Sequence, residues 1–160
     1  MIFLKTKLKT YIFSVAVALS VELLSALFTM GSMGIYNDIL TPLLAPPSWV
    51  FPVVWTILFF LMGVSAARIK LSAAPKRQKD SALRTYYISL AVNFLWSIIF
   101  FNVRAFFFAF IWLLLLLALI VITIVKYYKI DKIAAYLQIP YALWVAFAGY
   151  LTFAIWWLNR

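Results

Sequence analysis

A chain of 160 residues that is 68% hydrophobic and only 11% charged, with a mean hydropathy of +1.06, lies outside the range of water-soluble domains, so lipid is its solvent. Cysteine and histidine are both absent and the four acidic residues, Glu22, Asp38, Asp80 and Asp131, fall in four separate segments, which argues against a disulfide framework, thiolate chemistry, a protein-built metal site or metal-borne cofactor chemistry. The net charge of +10 reads as a membrane charge bias, with no nucleic acid expected as partner.

In lipid every backbone amide and carbonyl must find its partner inside the chain, which leaves helices or a closed barrel. Barrel strands alternate apolar and polar residues. Unbroken apolar runs such as Phe106 to Val125 instead predict an all-α membrane protein, a bundle of five transmembrane helices in a single domain covering residues 1–160.

Span one is predicted over Leu8 to Met30, after Lys5, Lys7 and Lys9; it is too long for a signal segment and no small-residue cleavage site follows it. Loop one, Gly31 to Trp49, holds two glycines, three prolines and an Asn-Asp pair. Span two follows over Phe51 to Leu71, with Pro52 in the first turn, where its missing amide is not needed. Ser72 to Asp80 reads as a basic loop and Ala82 to Phe101 as span three. The short Asn102-Val103-Arg104 joint turns the chain back into span four, Ala105 to Val125. After the basic connection from Lys126 to Lys132, span five occupies Ile133 to Leu158, with Pro140 expected near its start.

With five spans, the amino terminus, loop two and loop four share one face, and that face collects 12 of the 14 lysines and arginines, leaving Arg104 and Arg160 opposite. The positive-inside rule then predicts a cytoplasmic amino terminus, with loop one and the carboxyl terminus outward.

The richest stretch is Pro42 to Gly63. Pro46-Pro47 stiffens loop one over the bundle mouth, because proline fixes its own torsion and keeps its predecessor out of helix. Trp49, Phe51 and Trp55 follow, either as an interfacial aromatic belt or as the wall of a pocket. On span five Tyr141, Trp144 and Ala148 recur at helical spacing, and Ala142, Ala146 and Gly149 read as small residues for close helix packing. Glu22, an acid midway along span one, is costly there. It either pairs with Ser25 or Asn93, sits at a dimer contact, or handles ligand or proton.

Pro42, Pro46, Pro47, Trp49, Trp55, Thr56, Leu58, Met62 and Gly63 together resemble the signature of the translocator protein family, also called tryptophan-rich sensory proteins or peripheral-type benzodiazepine receptors. Asn93, Trp96, Phe100 and Phe101 resemble the family's third-helix motif, and the run from Pro140 to Leu151 with terminal Asn159 resembles its fifth helix. The likeness covers nearly the whole chain and points to a bacterial member. It implies a five-helix bundle, often a homodimer, with a pocket opening toward loop one that binds porphyrins of the protoporphyrin class or a similar flat aromatic ligand. Trp55 and Trp144 match the two tryptophans tied to light-dependent porphyrin breakdown in bacterial relatives, which makes them the candidate catalytic pair. Trp49, Asn93 and Ala148 match pocket-lining positions, and Phe51, Trp96 and Tyr141 join them as candidate ligand contacts.

Thr152 and Leu44 depart from the family's common asparagine and tryptophan, and no sterol-recognition pattern closes span five, so sterol binding is not carried over. A flat macrocycle gains from stacking on indoles and from burial at roughly 25 cal/mol per Å². Without histidine or cysteine there is no strong axial ligand for haem iron, so the metal-free ring is the expected guest. Arg104, Asn102 and indole amides are the donors expected for its propionates. Two other classes stay open: transport of tetrapyrroles or other apolar ligands, although no internal repeat is visible, and a regulatory partner without chemistry.

Overall fold

The computed structural model describes residues 2–160, with side chains from Leu4 onward. Six helices follow one another: α1 (Ile2–Thr29), the single turn α2 (Ile35–Asp38), α3 (Val50–Leu71), α4 (Lys76–Ser97), α5 (Phe106–Tyr128) and α6 (Lys132–Leu158). All but α2 belong to the five helical segments long and apolar enough to cross a membrane, so the protein is the all-α, five-span bundle its hydropathy predicts. Around the bundle α1 packs on α3, α3 on α6, α6 on α5 and α5 on α4, and α4 returns to touch α1 more lightly.

Span three begins earlier than expected. Lys76 to Asp80, read as loop because it is charged and follows Pro75, is the first turn of α4; Lys, Arg and Gln are good helix formers and proline serves well just outside a helix start. The far end also runs on. A π-helical turn, Ile98–Val103, continues α4, so the joint to α5 is only Arg104 and Ala105. Arg104 takes the left-handed conformation at φ 57°, which reverses the chain in so little length. Asn102 Nδ2 donates to the Phe28 carbonyl at 2.9 Å and fixes this corner against α1.

Pro140 is likewise not near a frayed end. Because α6 starts at Lys132, proline stands in its third turn, within a helix that continues unbroken to Leu158. Asp131 caps that start by accepting the Ala134 amide at 3.1 Å, and its carboxylate meets Arg68 of α3 at 2.8 Å. Partial burial pushes the Asp131 carboxyl up, but the Ala134 amide and the Arg68 guanidinium more than reverse this and hold it below its ordinary value. Ser65 Oγ donates to the Ala134 carbonyl at 2.7 Å and lies 3.3 Å from Gln138 Nε2, which extends the α3 to α6 clamp into the interior.

The close helix approach anticipated at Gly149 occurs at Gly63 instead. A methyl group on Gly63 would lie 2.5 Å from the Val15 backbone of α1, whereas one on Gly149 would meet nothing within 4 Å. Glycine at position 63 lets the α1 and α3 backbones touch. From there toward loop one the two helices part company around a cavity.

Candidate ligand pocket

The cavity lies between α1, α3 and α4 under loop one and encloses about 400 Å³, within the range of small-molecule sites. Each helix contributes one face. From α1 come Glu22, Ser25, Ala26 and Thr29, a polar and small stripe at i, i+3, i+4 and i+7 on an otherwise apolar span. From α3 come Phe51, Pro52, Trp55 and Phe59, again one helical face, and from α4 come Asn93, Trp96 and Ser97, with Phe101 one turn on. Met33, Tyr36, Ser48 and Trp49 of the connecting segment form the roof.

Trp55 is the centre of the aromatic wall. Its ring lies 6.2 Å from Trp96, 6.2 Å from Tyr141 at 69° and 6.4 Å from Trp144 at 88°, so neighbouring rings hold it from several sides. Tyr36 of α2 stacks on Phe51 at 5.8 Å and 20°, which seats the roof on the top of α3. Burial pushes the Tyr36 phenol up to about 12, so it stays a neutral donor at physiological pH. Asn93 Nδ2 donates to Tyr141 Oη at 2.8 Å.

Loop one is tied down at two points. The Asn159 amide pairs with both backbone groups of Leu40, accepting from its N–H at 2.9 Å and donating to its carbonyl at 3.0 Å, as a neighbouring strand would. Arg104 meets Asp38 of α2 at 3.5 Å. Both partners of that ion pair are about half exposed, so it is worth little in itself. The carboxyl-terminal end of α6 and the α4 to α5 corner thus act together as a latch for the roof.

Two buried polar groups at the cavity have no partner among the described residues: Ser25 Oγ and Trp96 Nε1. Glu22 is the one charged side chain in the lining, and its Oε1 stands 2.6 Å from the Thr56 hydroxyl. Neither Ser25 nor Asn93 pairs with it. An apolar chamber with a handful of converging polar groups is the usual make-up of a small-molecule site.

The sequence-predicted residues fall into three groups. Trp49, Phe51, Trp55, Asn93 and Trp96 line the cavity. Tyr141 and Ala148 lie behind that lining: Tyr141 is fully buried against Asn93 and Trp55, and Ala148 borders a residual cleft of about 20 Å³ that Tyr36, Phe51 and Trp96 partition from the main chamber. Trp144 stands on the other side of Trp55, in a groove on the outer surface between α3 and α6, and Arg104 sits at the roof latch. Sequence reasoning missed Ser25, Thr29 and Tyr36. The helical spacing of Glu22, Ser25 and Thr29 was the signal for the first two; Tyr36 had none, since its place depends on how loop one folds back.

Residues 13–158 of this arrangement match a known family model, that of the TspO/MBR family. The chain belongs to the TspO/MBR family. Among similar TspO/MBR proteins, protein CrtK of Rhodobacter capsulatus is 34% identical over 134 residues, covering 84% of this chain and 82% of that one. The tryptophan-rich protein TspO of Chlorobaculum tepidum is 36% identical over 124 residues, 78% of each chain. The human translocator protein is 32% identical over 122 residues, 76% of this chain and 72% of its own. The bacterial TspO/MBR sequences stand nearer than the mammalian ones, and the chain is an integral membrane protein.

Proposed function

We propose that this protein binds a porphyrin of the protoporphyrin class in the cavity under loop one. The observation that carries the reading is the indole-rich chamber itself, with Trp55 and Trp96 walling it, Trp49 at its mouth, and the Ser25 hydroxyl and Trp96 indole N–H left without partners. A flat conjugated ring supplies stacking surface for the indoles, worth about 0.5 to 1.5 kcal/mol per ring pair beyond burial, and its heteroatoms satisfy the stranded groups. The metal-free ring is preferred because the chain has no histidine or cysteine to ligate iron. Arg104 is the rim cation for a propionate, exchanging Asp38 for the ligand. On this reading the protein sits in a bacterial plasma membrane, and the excess of lysine and arginine on the opposite face supports an outward loop one.

Titration of the purified protein with metal-free protoporphyrin, followed by tryptophan quenching, tests this directly. Saturable binding is expected, weakened about tenfold by Trp55→Ala and several-fold by Arg104→Ala. Absence of saturation in the wild type overturns the assignment, and undiminished binding by Arg104→Ala removes that residue alone.

A second, light-driven reading draws on the packing of Trp55 against Trp144 and Tyr141. In it the excited ring takes one electron from Trp55, which borders the cavity, and passes it to dissolved oxygen as superoxide, while Trp144 from behind shares the tryptophan radical left on Trp55. Equal bleaching by wild type and a Trp55→Phe, Trp144→Phe double variant, at equal bound ligand, would refute it.

A further inference from the structure

At the opposite end of the bundle a second cleft, of about 590 Å³, opens between the start of α4 and the end of α5. Its walls are Lys76, Arg77 and Arg84 of α4 and Lys126 of α5, with the hydroxyls of Ser81 and Thr85 between them and Asp80 as its one carboxylate. Neighbouring cations at this end are already engaged. Arg68 pairs with Asp131, Lys79 caps the end of α3 by donating to the carbonyls of Lys70 and Ser72, and Lys70 bonds Ser14 and lies over the rings of Phe13 and Tyr87.

The four cations of the cleft are different. Among the described residues none of them forms an ion pair. Lys126 is nevertheless held in place, since its ammonium donates to Ser81 Oγ at 3.1 Å and Thr85 Oγ1 at 2.8 Å, neutral partners that orient the charge without cancelling it. The helix adds to the field instead of opposing it. The first turn of α4 carries no acid and has no side-chain cap, so Lys76 and Arg77 stand where a helix already presents its positive end.

Below the cleft the same faces turn apolar. On α4 Ile88 and Leu95 lie one and three turns beyond Arg84, and on α5 Ile122 and Leu115 lie one and three turns before Lys126; all four are exposed. The site thus joins a polar, strongly cationic head to an apolar track running along the membrane-spanning faces.

We infer that this cleft is a binding site for an anionic phospholipid, with the phosphate between Arg84 and Lys126, the Lys76 and Arg77 charges further along the cleft adding to the field, and an acyl chain along the Ile88 to Leu95 and Ile122 to Leu115 faces. A general basic surface attracts any anion loosely; a concave site with an oriented ammonium, unpaired guanidinium groups and an adjoining apolar track selects for both halves of a lipid. The site is separate from the porphyrin cavity and does not depend on it.

Native mass spectrometry of the detergent-solubilised protein, titrated with phosphatidylglycerol or phosphatidylcholine, tests the inference. One saturable phosphatidylglycerol adduct is expected, with phosphatidylcholine bound at least tenfold more weakly. Arg84→Gln, which removes no hydrogen bond within the protein, should weaken it about fivefold, and Arg84→Gln with Lys126→Gln about thirtyfold. A Lys5→Gln, Lys9→Gln control with the same charge change should stay within about twofold of wild type. The inference is overturned if the control loses as much as the double variant, if the two lipids bind equally, or if inorganic phosphate displaces phosphatidylglycerol at comparable concentration, which would make the cleft a site for free phosphate.

Discussion

Toward loops two and four the helices touch backbone to backbone and interior side chains bridge them: Gly63 against Val15, Ser65 to Ala134, Arg68 to Asp131. Toward loop one the same helices stand apart around about 400 Å³ of space, roofed by a connection that is latched at Asn159 and Arg104. The tight half holds orphans of its own, the hydroxyls of Tyr86 and Tyr127. Those rings are fully buried and line neither the chamber under loop one nor the clefts described above, so their unpaired oxygens read as a cost of packing, while Ser25 Oγ and Trp96 Nε1 border the chamber and can be satisfied by a guest. An unpartnered polar group therefore signals a ligand only where there is room for one.

The largest test of this division is a pair of glycines. Gly63→Ala forces a methyl group against the Val15 backbone and should cost about 1 to 3 kcal/mol, seen as a lower midpoint of thermal unfolding in detergent. Gly149→Ala meets nothing and should be neutral or stabilise by up to about 1 kcal/mol, through helix propensity alone. Equal effects of the two would mean that α1 and α3 do not touch at Gly63.

The difference between the halves was only partly legible in the sequence. Five spans, the charge asymmetry and the irregular loop one followed from hydropathy and proline placement, because lipid imposes long apolar helices on any chain that crosses it. What failed were boundaries and sides. Lys76 to Asp80 reads as loop because it is polar, yet polar residues outside the bilayer extend helices freely. Helical spacing groups Tyr141, Trp144 and Ala148 but does not say which way a helix faces, and the pair taken from the family resemblance divides in the structure: Trp55 borders the cavity and Trp144 lines the groove on its other side. The polar stripe Glu22, Ser25 and Thr29 carried the orientation of α1, since an apolar span has little other reason to group polar residues on one side.

A middle-sized effect is expected at the tight end. Asp131→Ala removes both the α6 cap and the Arg68 partner and should cost about 1 to 2 kcal/mol at neutral pH. Because the folded carboxyl is held below its unfolded value, wild type keeps this contribution in full above the ordinary value of 3.8 and loses it as pH falls through the lower folded value. The stability gap between wild type and variant should therefore narrow in acid. A gap that stays constant from pH 7 down to pH values of about 2 would show that charge at Asp131 plays no part in the clamp.

The smallest stability change is expected where the sharpest functional one falls. Trp96→Phe keeps an aromatic ring in the wall but deletes an N–H that has no partner among the described residues. Removing an unsatisfied buried donor takes away no hydrogen bond and relieves a desolvation cost that offsets part of the ring area lost against Trp55 and Phe100, so stability should fall by no more than about 1 kcal/mol. Protoporphyrin affinity should nonetheless fall by about 1 kcal/mol, a factor of roughly five, because the bound ring loses an acceptor-to-indole hydrogen bond. Measuring both on the same preparation separates the halves of the molecule: deleting a paired polar group of the tight half, such as Asp131, should lower stability, and deleting an unpaired one at the cavity should act mainly on binding. A Trp96→Phe protein that unfolds several degrees early but binds normally would place Trp96 with the packing residues, and the chamber would then owe its shape, not its chemistry, to that indole.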